Sequence, residues 1–425
     1  LEDTLLANED IEEIENTIKN PMKEEKKIYY AGTGCELLDL VVGGGVGKGY
    51  PFGKIINFVG DKSSGKTFLA IEVIASAYHK FGEKNLKWIY DDCESGFSFN
   101  TEHLYGFPII PSLLEERRRS STVEDAYVNI REFAEGLRKN QLGIYVIDSL
   151  DGLKSRESNA RADERYVRAI NERKGKILKS KMPGSMNVEK PKYLSQEFFP
   201  KLSEIIGNTN CLLIIISQVR QNIDPMSFEK YVRNGGKAMD FYCHTVLWLA
   251  NISKIKNKGR ATGIVVKART TKSKTPRPYR EGYFELKFDY GLDNTATCVD
   301  FLFDFRTGKG ELIKDAKAPW KENKEMNIAN LKEFLATNGI EQQYRENIHP
   351  KLKKSEVVTW IEEEADEEIR NKFKDEFSDS LSRETLIEYI EDNNLVEELN
   401  KRVEEKWEAI ESAIATKRKP KYSTP

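Results

Sequence analysis

The stretch from Asn57 to Thr67 constrains this chain more than any other. It contains Gly60-Asp61-Lys62-Ser63-Ser64-Gly65-Lys66-Thr67, a complete Gly-x4-Gly-Lys-[Ser/Thr] phosphate-binding loop. The apolar run Ile55-Ile56-Asn57-Phe58-Val59 precedes it, and Phe68 to Ile74 follow with helical spacing. In that strand–loop–helix setting the glycines let successive backbone N–H groups converge on a phosphate, and the helix N-terminus favours negative charge. Lys66 is expected to reach the β- and γ-phosphates of a nucleotide, and the Thr67 hydroxyl to bind Mg²⁺.

Strand signals at 54–59, 87–91, 143–148, 211–217, 245–250, 262–269 and 282–289 surround helical patterns at 66–80, 122–138 and 195–207. Strand and helix alternating around a phosphate loop predict an α/β fold, a mostly parallel sheet with helices on both faces. The last three strands are joined by short turns and read as an antiparallel extension. Residues 1–30 read as an acidic helix or arm and 31–305 as the nucleotide-binding core. Residues 306–425 read as a helical C-terminal domain rich in Glu/Lys pairs, ending in the basic tail Lys417-Arg418-Lys419-Pro420-Lys421.

With 39% hydrophobic and 32% charged residues the composition suits a soluble globular protein. No apolar run approaches a membrane span, so no membrane partner is expected, and the acidic start Leu1-Glu2-Asp3 does not resemble a signal peptide. The five cysteines lack CxxC spacing and read as buried free thiols, which implies a cytoplasmic setting. His244, in an apolar run, reads as a core residue. The net charge of −2 hides an asymmetry: 154–192 carries 12 Lys/Arg against 5 Asp/Glu, and 321–425 carries 18 against 25. The basic island, with Lys174, Lys176, Lys179 and Lys181 at its centre, points to an anionic polymer such as DNA; a solvated charged loop is the alternative.

Three further strands end in groups that suit phosphate chemistry. Gly143 to Ile147 is an apolar strand ending in Asp148, the expected carboxylate for Mg²⁺. Lys87 to Tyr90 leads into Asp91, Asp92 and Glu94; Glu94 is the chosen activator of the attacking water, with the two aspartates as strand-end alternatives. Cys211 to Ser217 ends in Gln218, an amide able to hydrogen-bond a γ-phosphate and so sense hydrolysis. Lys272-Ser273-Lys274 reads as an exposed turn.

Taken in order, these motifs resemble the RecA family of recombinases, phage UvsX and the RadA proteins included. The resemblance runs from Ala31-Gly32-Thr33-Gly34-Cys35-Glu36-Leu37-Leu38-Asp39 through Pro51-Phe52-Gly53-Lys54-Ile55, the phosphate loop, Glu94, Asp148-Ser149 and Gln218. It continues through Gly235-Gly236-Lys237-Ala238-Met239-Asp240-Phe241-Tyr242 and Lys272-Ser273-Lys274 to Phe288-Asp289-Tyr290-Gly291-Leu292-Asp293. It implies a RecA-like core and a DNA-dependent ATPase using ATP and Mg²⁺. Such a protein would form filaments on single-stranded DNA and exchange strands with duplex DNA. Glu94 then matches the catalytic glutamate, Gln218 the switch to the DNA loop, and Lys272 and Lys274 the lysines that reach a neighbouring subunit's ATP. Residues 219–234 match the second DNA loop, with Arg220 at a phosphate-contacting position and Ile223 at the apolar wedge between bases. Met226 and Phe228 offer stacking surface or fold back on the core, and Gly235 and Gly236 close the loop. The chain departs from the family in three places: 154–192 is expanded, Thr101 stands where a tyrosine stacks on adenine, and 320–425 matches no quoted motif. This divergence reads as a phage-like version, which would act in the host cytoplasm. The same core also serves ring helicases or DNA motors, and ATP-switched scaffolds of the KaiC or RadA-paralogue type.

Overall fold

The computed structural model describes residues 27–45, 48–109, 119–173, 189–221, 231–233, 236–275, 277–320, 328–343, 353–377 and 380–418. Its centre is a nine-stranded sheet. The strands are β1 (Ile55–Gly60), β2 (Leu86–Asp92), β3 (Leu142–Asp148), β4 (Cys211–Gln221), β5 (Tyr231–Arg233), β6 (Thr245–Asn257), β7 (Arg260–Ser273), β8 (Glu281–Lys287) and β9 (Gly291–Asp293). They lie in the order β9-β8-β7-β6-β1-β4-β3-β2, with β5 added to β4. From β6 to β2 the pairs are parallel, whereas β6 to β9 form an antiparallel extension. The mixed α/β class expected from the sequence is therefore observed.

The central strands are apolar on both sides because both faces are covered, and the two-residue period sorts their side chains. Ile56, Phe58, Ile144, Val146, Leu212, Ile214 and Ile216 enter one core, together with helix α2 (Lys66–Phe81). Ile55, Val59, Tyr145, Ile147, Leu213 and Ile215 enter the other, with α3 (Val123–Glu135) and α5 (Phe199–Asn208). Asn57 is a buried polar exception, and its amide donates to the Ile215 carbonyl at 2.8 Å and to Ser217 Oγ at 2.9 Å. Helix α3 starts at a capping box, in which Thr122 and Asp125 satisfy each other's backbone N–H groups. Between them in sequence, α4 (Arg156–Arg173) follows β3, and none of its described side chains is buried.

Helix α1 (Glu36–Gly43) carries a third cluster. Leu37, Leu40 and Val41 pack with Cys298 and Val299 of α7 (Asn294–Leu302) and with Trp320. Leu386 and Ile390 of α11 (Arg383–Asp392) and Leu399, Val403 and Trp407 of α12 (Val396–Ala413) complete it. Beside it Glu285 and Asp300 are buried against Arg306 and Arg383, so each buried charge has an opposite partner. Helices α8 (Ile328–Thr337), α9 (Lys354–Glu363) and α10 (Glu367–Glu376) form a separate small core around Leu335, Ile361 and Phe373. All five cysteines are free. Among the described residues no helix is long and apolar enough to cross a membrane.

Candidate functional site

The phosphate loop leaves the C-terminal end of β1, and its geometry needs the glycines it has. A Cβ on Gly60 would stand 2.4 Å from Ser64 Oγ and 2.6 Å from the Leu249 carbonyl oxygen. Gly65, at φ +85°, turns the chain into α2 from the left-handed region open to glycine. Asp61 Oδ1 accepts from the Lys62 N–H at 2.7 Å, and Asn251 Nδ2 donates to the Ser63 carbonyl at 3.2 Å, fixing the loop against β6. Lys66 folds inside the loop, with Nζ donating to the Asp61 carbonyl at 2.7 Å and lying 3.5 Å from Ser64 Oγ. Burial holds the Lys66 ammonium below its ordinary pKa, against the opposing pull of Asp148 and Asp61.

Two strands away, β3 brings Asp148 to the first turn of α2. Thr67 Oγ1 donates to Asp148 Oδ2 at 2.7 Å, and Tyr90 Oη donates to the same oxygen at 2.6 Å. Burial raises the Asp148 pKa, and these hydrogen bonds work against the rise. A hydroxyl and a carboxylate meeting at this distance are oxygen donors suited to Mg²⁺, which takes one or two protein ligands and keeps water and phosphate oxygens for the rest. Among the described residues no group of three or more His, Cys, Asp or Glu could hold a metal ion.

The acids after β2 separate by environment. Asp91 is buried and accepts from the Ser120 N–H at 3.0 Å and from Tyr145 Oη at 2.8 Å. Asp92 is buried too and accepts from the N–H groups of Gly96 at 3.1 Å and Phe97 at 2.9 Å, so it shapes the loop that follows. Glu94 is exposed, and its Oε1 accepts from Ser149 Oγ and from Gln218 Nε2 at 2.9 Å. Of the three acids read from the sequence, Glu94 is the one brought to Gln218.

The wall beyond the loop was not legible as a site in the sequence. A cavity of about 380 Å³ is lined by Ser63 to Phe68 and by Phe99, Ile264, Leu286 and Phe288. These apolar residues come from three separate segments, and in sequence Ile264, Leu286 and Phe288 look like any strand core while Phe99 lies in a loop. Thr101 is buried, with Oγ1 accepting from the Ile109 N–H at 2.7 Å, while Phe99 stands edge-on to Phe68 at the cavity wall.

Gly60 pairs in register with both Gln218 and Leu249, where β1 stops and its two neighbours continue. On one side β4 runs on to Gln221 and pairs Val219, Arg220 and Gln221 with Arg233, Val232 and Tyr231 of β5. Arg220 thus sits in a hairpin base, and Gly236 opens helix α6 (Gly236–Tyr242). Ile223, Met226, Phe228 and Gly235 lie outside the described residues, as do Lys174, Lys176, Lys179 and Lys181. Lys190, at the far end of the basic island, donates to the Leu150 carbonyl at 2.7 Å. On the other side β6 and β7 extend as a two-stranded ribbon bearing exposed Lys254, Lys256, Lys258 and Arg260. A charge count would have found it: residues 241–280 hold ten Lys/Arg and no Asp/Glu.

Lys272 is not on a turn but in β7, opposite Val246, and Lys274 lies just past the strand end. Extended pairing continues here because β7 follows β6 back to its start at Thr245. Both lysines therefore lie well short of their own phosphate loop: Val246 is level with Asn57, three residues or roughly 10 Å of strand before Gly60. Lys272 Nζ donates to the Phe241 carbonyl at 2.9 Å. His244 is half-buried; burial, with the charges of Lys54, Lys274 and Lys272, pushes its pKa down to about 4, so it is neutral.

The RecA N-terminal domain family matches residues 173–293. The chain is 26% identical over 349 residues to Protein RecA of Clostridium perfringens strain 13, spanning 80% of this chain and 88% of that one. It is 25% identical over 344 residues to Protein RecA of Clostridium tetani, spanning 78% and 86%. Among solved structures it is similar to the RadB recombinase, at 18% identity and a TM-score of 0.38, over 62% of this chain and 98% of that one.

Proposed function

For a chain that is a relative of the RecA recombinases, we propose a DNA-stimulated ATPase of DNA recombination and repair that assembles on single-stranded DNA and exchanges strands. The observation that carries this reading is Gln218. Its side chain donates to Glu94 at the nucleotide end, and its own strand becomes the base of the β4–β5 hairpin. One strand thereby carries both a residue of the proposed hydrolytic site and the base of the candidate DNA loop.

In this reading the loop N–H groups and Lys66 hold the β- and γ-phosphates of ATP. Thr67 and Asp148 would hold Mg²⁺, whose charge offsets that of the phosphate oxygens when it is bound. Glu94 takes the proton of the attacking water. Ser149 and Gln218 both bond to its Oε1, which orients the carboxylate and leaves the second oxygen for the water. Phe99, Ile264, Leu286 and Phe288 offer the nucleotide base an apolar wall. Lys272 and Lys274, placed away from their own loop, complete the site of an adjoining copy, which makes hydrolysis depend on assembly. The hairpin, with Arg220, Ile223, Met226, Phe228, Gly235 and Gly236, meets the DNA bases and backbone. The β6–β7 ribbon and the island around Lys174, Lys176, Lys179 and Lys181 add phosphate contacts. Residues 31–305 would form the ATPase core and 306–425 a helical accessory region.

Electron microscopy with single-stranded DNA and a slowly hydrolysed ATP analogue tests the reading. Helical filaments are expected. Closed rings would favour a helicase or motor, and no DNA-dependent assembly would favour an ATP-switched scaffold.

A further inference from the structure

The turn that follows the two lysines is strained and is held by two helices, α1 and α12. Arg277 and Tyr279 have φ of 60° and 73°, a left-handed conformation that non-glycine residues keep only where neighbours impose it. One side of the turn is tied to α1: Arg280 donates from Nε to the Val41 carbonyl at 2.8 Å and from Nη2 to the Val42 carbonyl at 2.8 Å and Thr275 Oγ1 at 2.9 Å. The other side is tied to the last turn of α12, 134 residues along the chain, where Arg277 Nη1 donates to Glu411 Oε2 at 2.6 Å and to the Glu411 carbonyl.

Helix α12 is a firm anchor for that contact. Asn294 Nδ2 donates to Asn400 Oδ1 at 3.0 Å, and Arg402 donates to the Trp320 carbonyl. Lys406 Nζ donates to the Phe301 carbonyl at 2.8 Å and pairs with Asp304 at 2.8 Å. Val403 and Trp407 are buried in the third cluster. A helix fixed from Asn400 to Trp407, over about two turns, transmits the position of its end to whatever that end holds.

We propose that Glu411 is a positioning residue for Lys272 and Lys274: through Arg277 the C-terminal helix sets the turn that follows Lys274, and with it the strand end from which these lysines reach the neighbouring ATP. The inference rests on the intersubunit reading of the two lysines given above. It gives the C-terminal helices, which carry no recognisable motif, a part in the ATPase cycle. Arg277 stands only three residues after Lys274, whose N–H donates to the His244 carbonyl at 3.0 Å, so releasing Arg277 lets the left-handed turn relax and loosens the strand end at that last backbone bond.

The test compares Glu411→Ala, Glu411→Gln, the pair Lys272→Ala with Lys274→Ala, and the triple variant. For each, ATP turnover is measured with and without single-stranded DNA, alongside binding of a fluorescent ATP analogue to the monomer and a thermal melt. Glu411→Ala should lower DNA-stimulated kcat by about three- to tenfold while monomer nucleotide affinity and Tm stay at wild type. Glu411→Gln, which still accepts from Arg277, should recover most of the rate. In the lysine-pair background Glu411→Ala should cost nothing more. Wild-type turnover in Glu411→Ala, or an equal further loss in the triple variant, overturns the inference while leaving the lysine reading intact. Wild-type turnover in the lysine pair overturns both. If Glu411→Ala does not fold, Arg277→Gln breaks the same pair from the turn and carries the same expectations.

Discussion

Glu94→Gln isolates the proton-accepting role in the proposed mechanism with little disturbance to the fold. Glu94 is exposed, and the oxygen that accepts from Ser149 and Gln218 has an equivalent in the glutamine amide. Both hydrogen bonds are therefore retained, and what is lost is the basic oxygen on the water side. General-base catalysis contributes about 10²- to 10⁴-fold, which corresponds to roughly 3–5 kcal/mol of barrier. The expected result is a fall of that size in single-stranded-DNA-stimulated kcat, with nucleotide affinity within about threefold of wild type and an unchanged melt. A phosphate-release assay gives kcat, and equilibrium binding of a fluorescent ATP analogue gives affinity. Turnover within tenfold of wild type would refute the assignment of Glu94. A collapse of nucleotide affinity would show that the residue is structural.

Two other perturbations probe different parts of the molecule. Glu72, buried in α2, accepts at Oε1 from the Leu292 N–H and from Tyr105 Oη, both at 2.8 Å, and burial pushes its pKa up to about 7 from an ordinary 4.5. The raised value favours the protonated carboxyl in the folded state. This contribution is complete below pH 4.5 and is lost as pH rises to about 7, a change of about 3 kcal/mol. Asp39, also raised to about 7, adds a slope of the same sign, so Glu72→Gln should flatten but not abolish the decline in denaturant stability across that window; an unchanged slope would show that Glu72 is not the titrating group. Neutralising Lys254, Lys256, Lys258 and Arg260 together should reduce the slope of log K against log salt for single-stranded DNA by up to about 3. An unchanged salt slope would leave the ribbon as solvated charge.

What the sequence disclosed followed from how local the cause was. The phosphate loop was legible because eight consecutive residues carry both its conformation and its chemistry. The central strands were legible because runs such as Cys211 to Ile216 are buried on both faces, leaving no polar position to blur them. Beyond the covered part of the sheet that signal ends. From Ala250 to Asn257 strand β6 is almost wholly exposed, and its Ile252 and Ile255 are three residues apart, so its pairing with β7 left no two-residue apolar period to read. The apolar wall of Ile264, Leu286 and Phe288 was hidden for the opposite reason, since apolar strand residues are expected in any core. The spacing of Leu399, Val403 and Trp407 marked an apolar helix face but could not say that Leu37, Leu40 and Val41, more than 350 residues earlier, take part in covering it.

The proposed coupling of ATP to DNA needs an element with two exclusive arrangements, because a ligand shifts a conformational equilibrium only by binding one state better. Gln218 has the right connections. In the arrangement described here its amide donates to Glu94, and its backbone N–H donates to Asp151 Oδ2 at 2.5 Å. A γ-phosphate that draws the amide toward Lys66 and the loop would do so at the expense of the bond to Glu94. Gln218 is level with Gly60, and the next residue, Val219, is already paired with Arg233 of β5, leaving little slack between the amide and the hairpin base. Rearrangement at Gln218 would therefore be borne by Val219, Arg220 and Gln221 and by their partners in β5. Gln218→Ala should then uncouple the two ends, leaving basal ATP turnover and DNA binding each measurable while DNA no longer stimulates turnover. Full stimulation by DNA in that variant would send the search for the coupling element elsewhere.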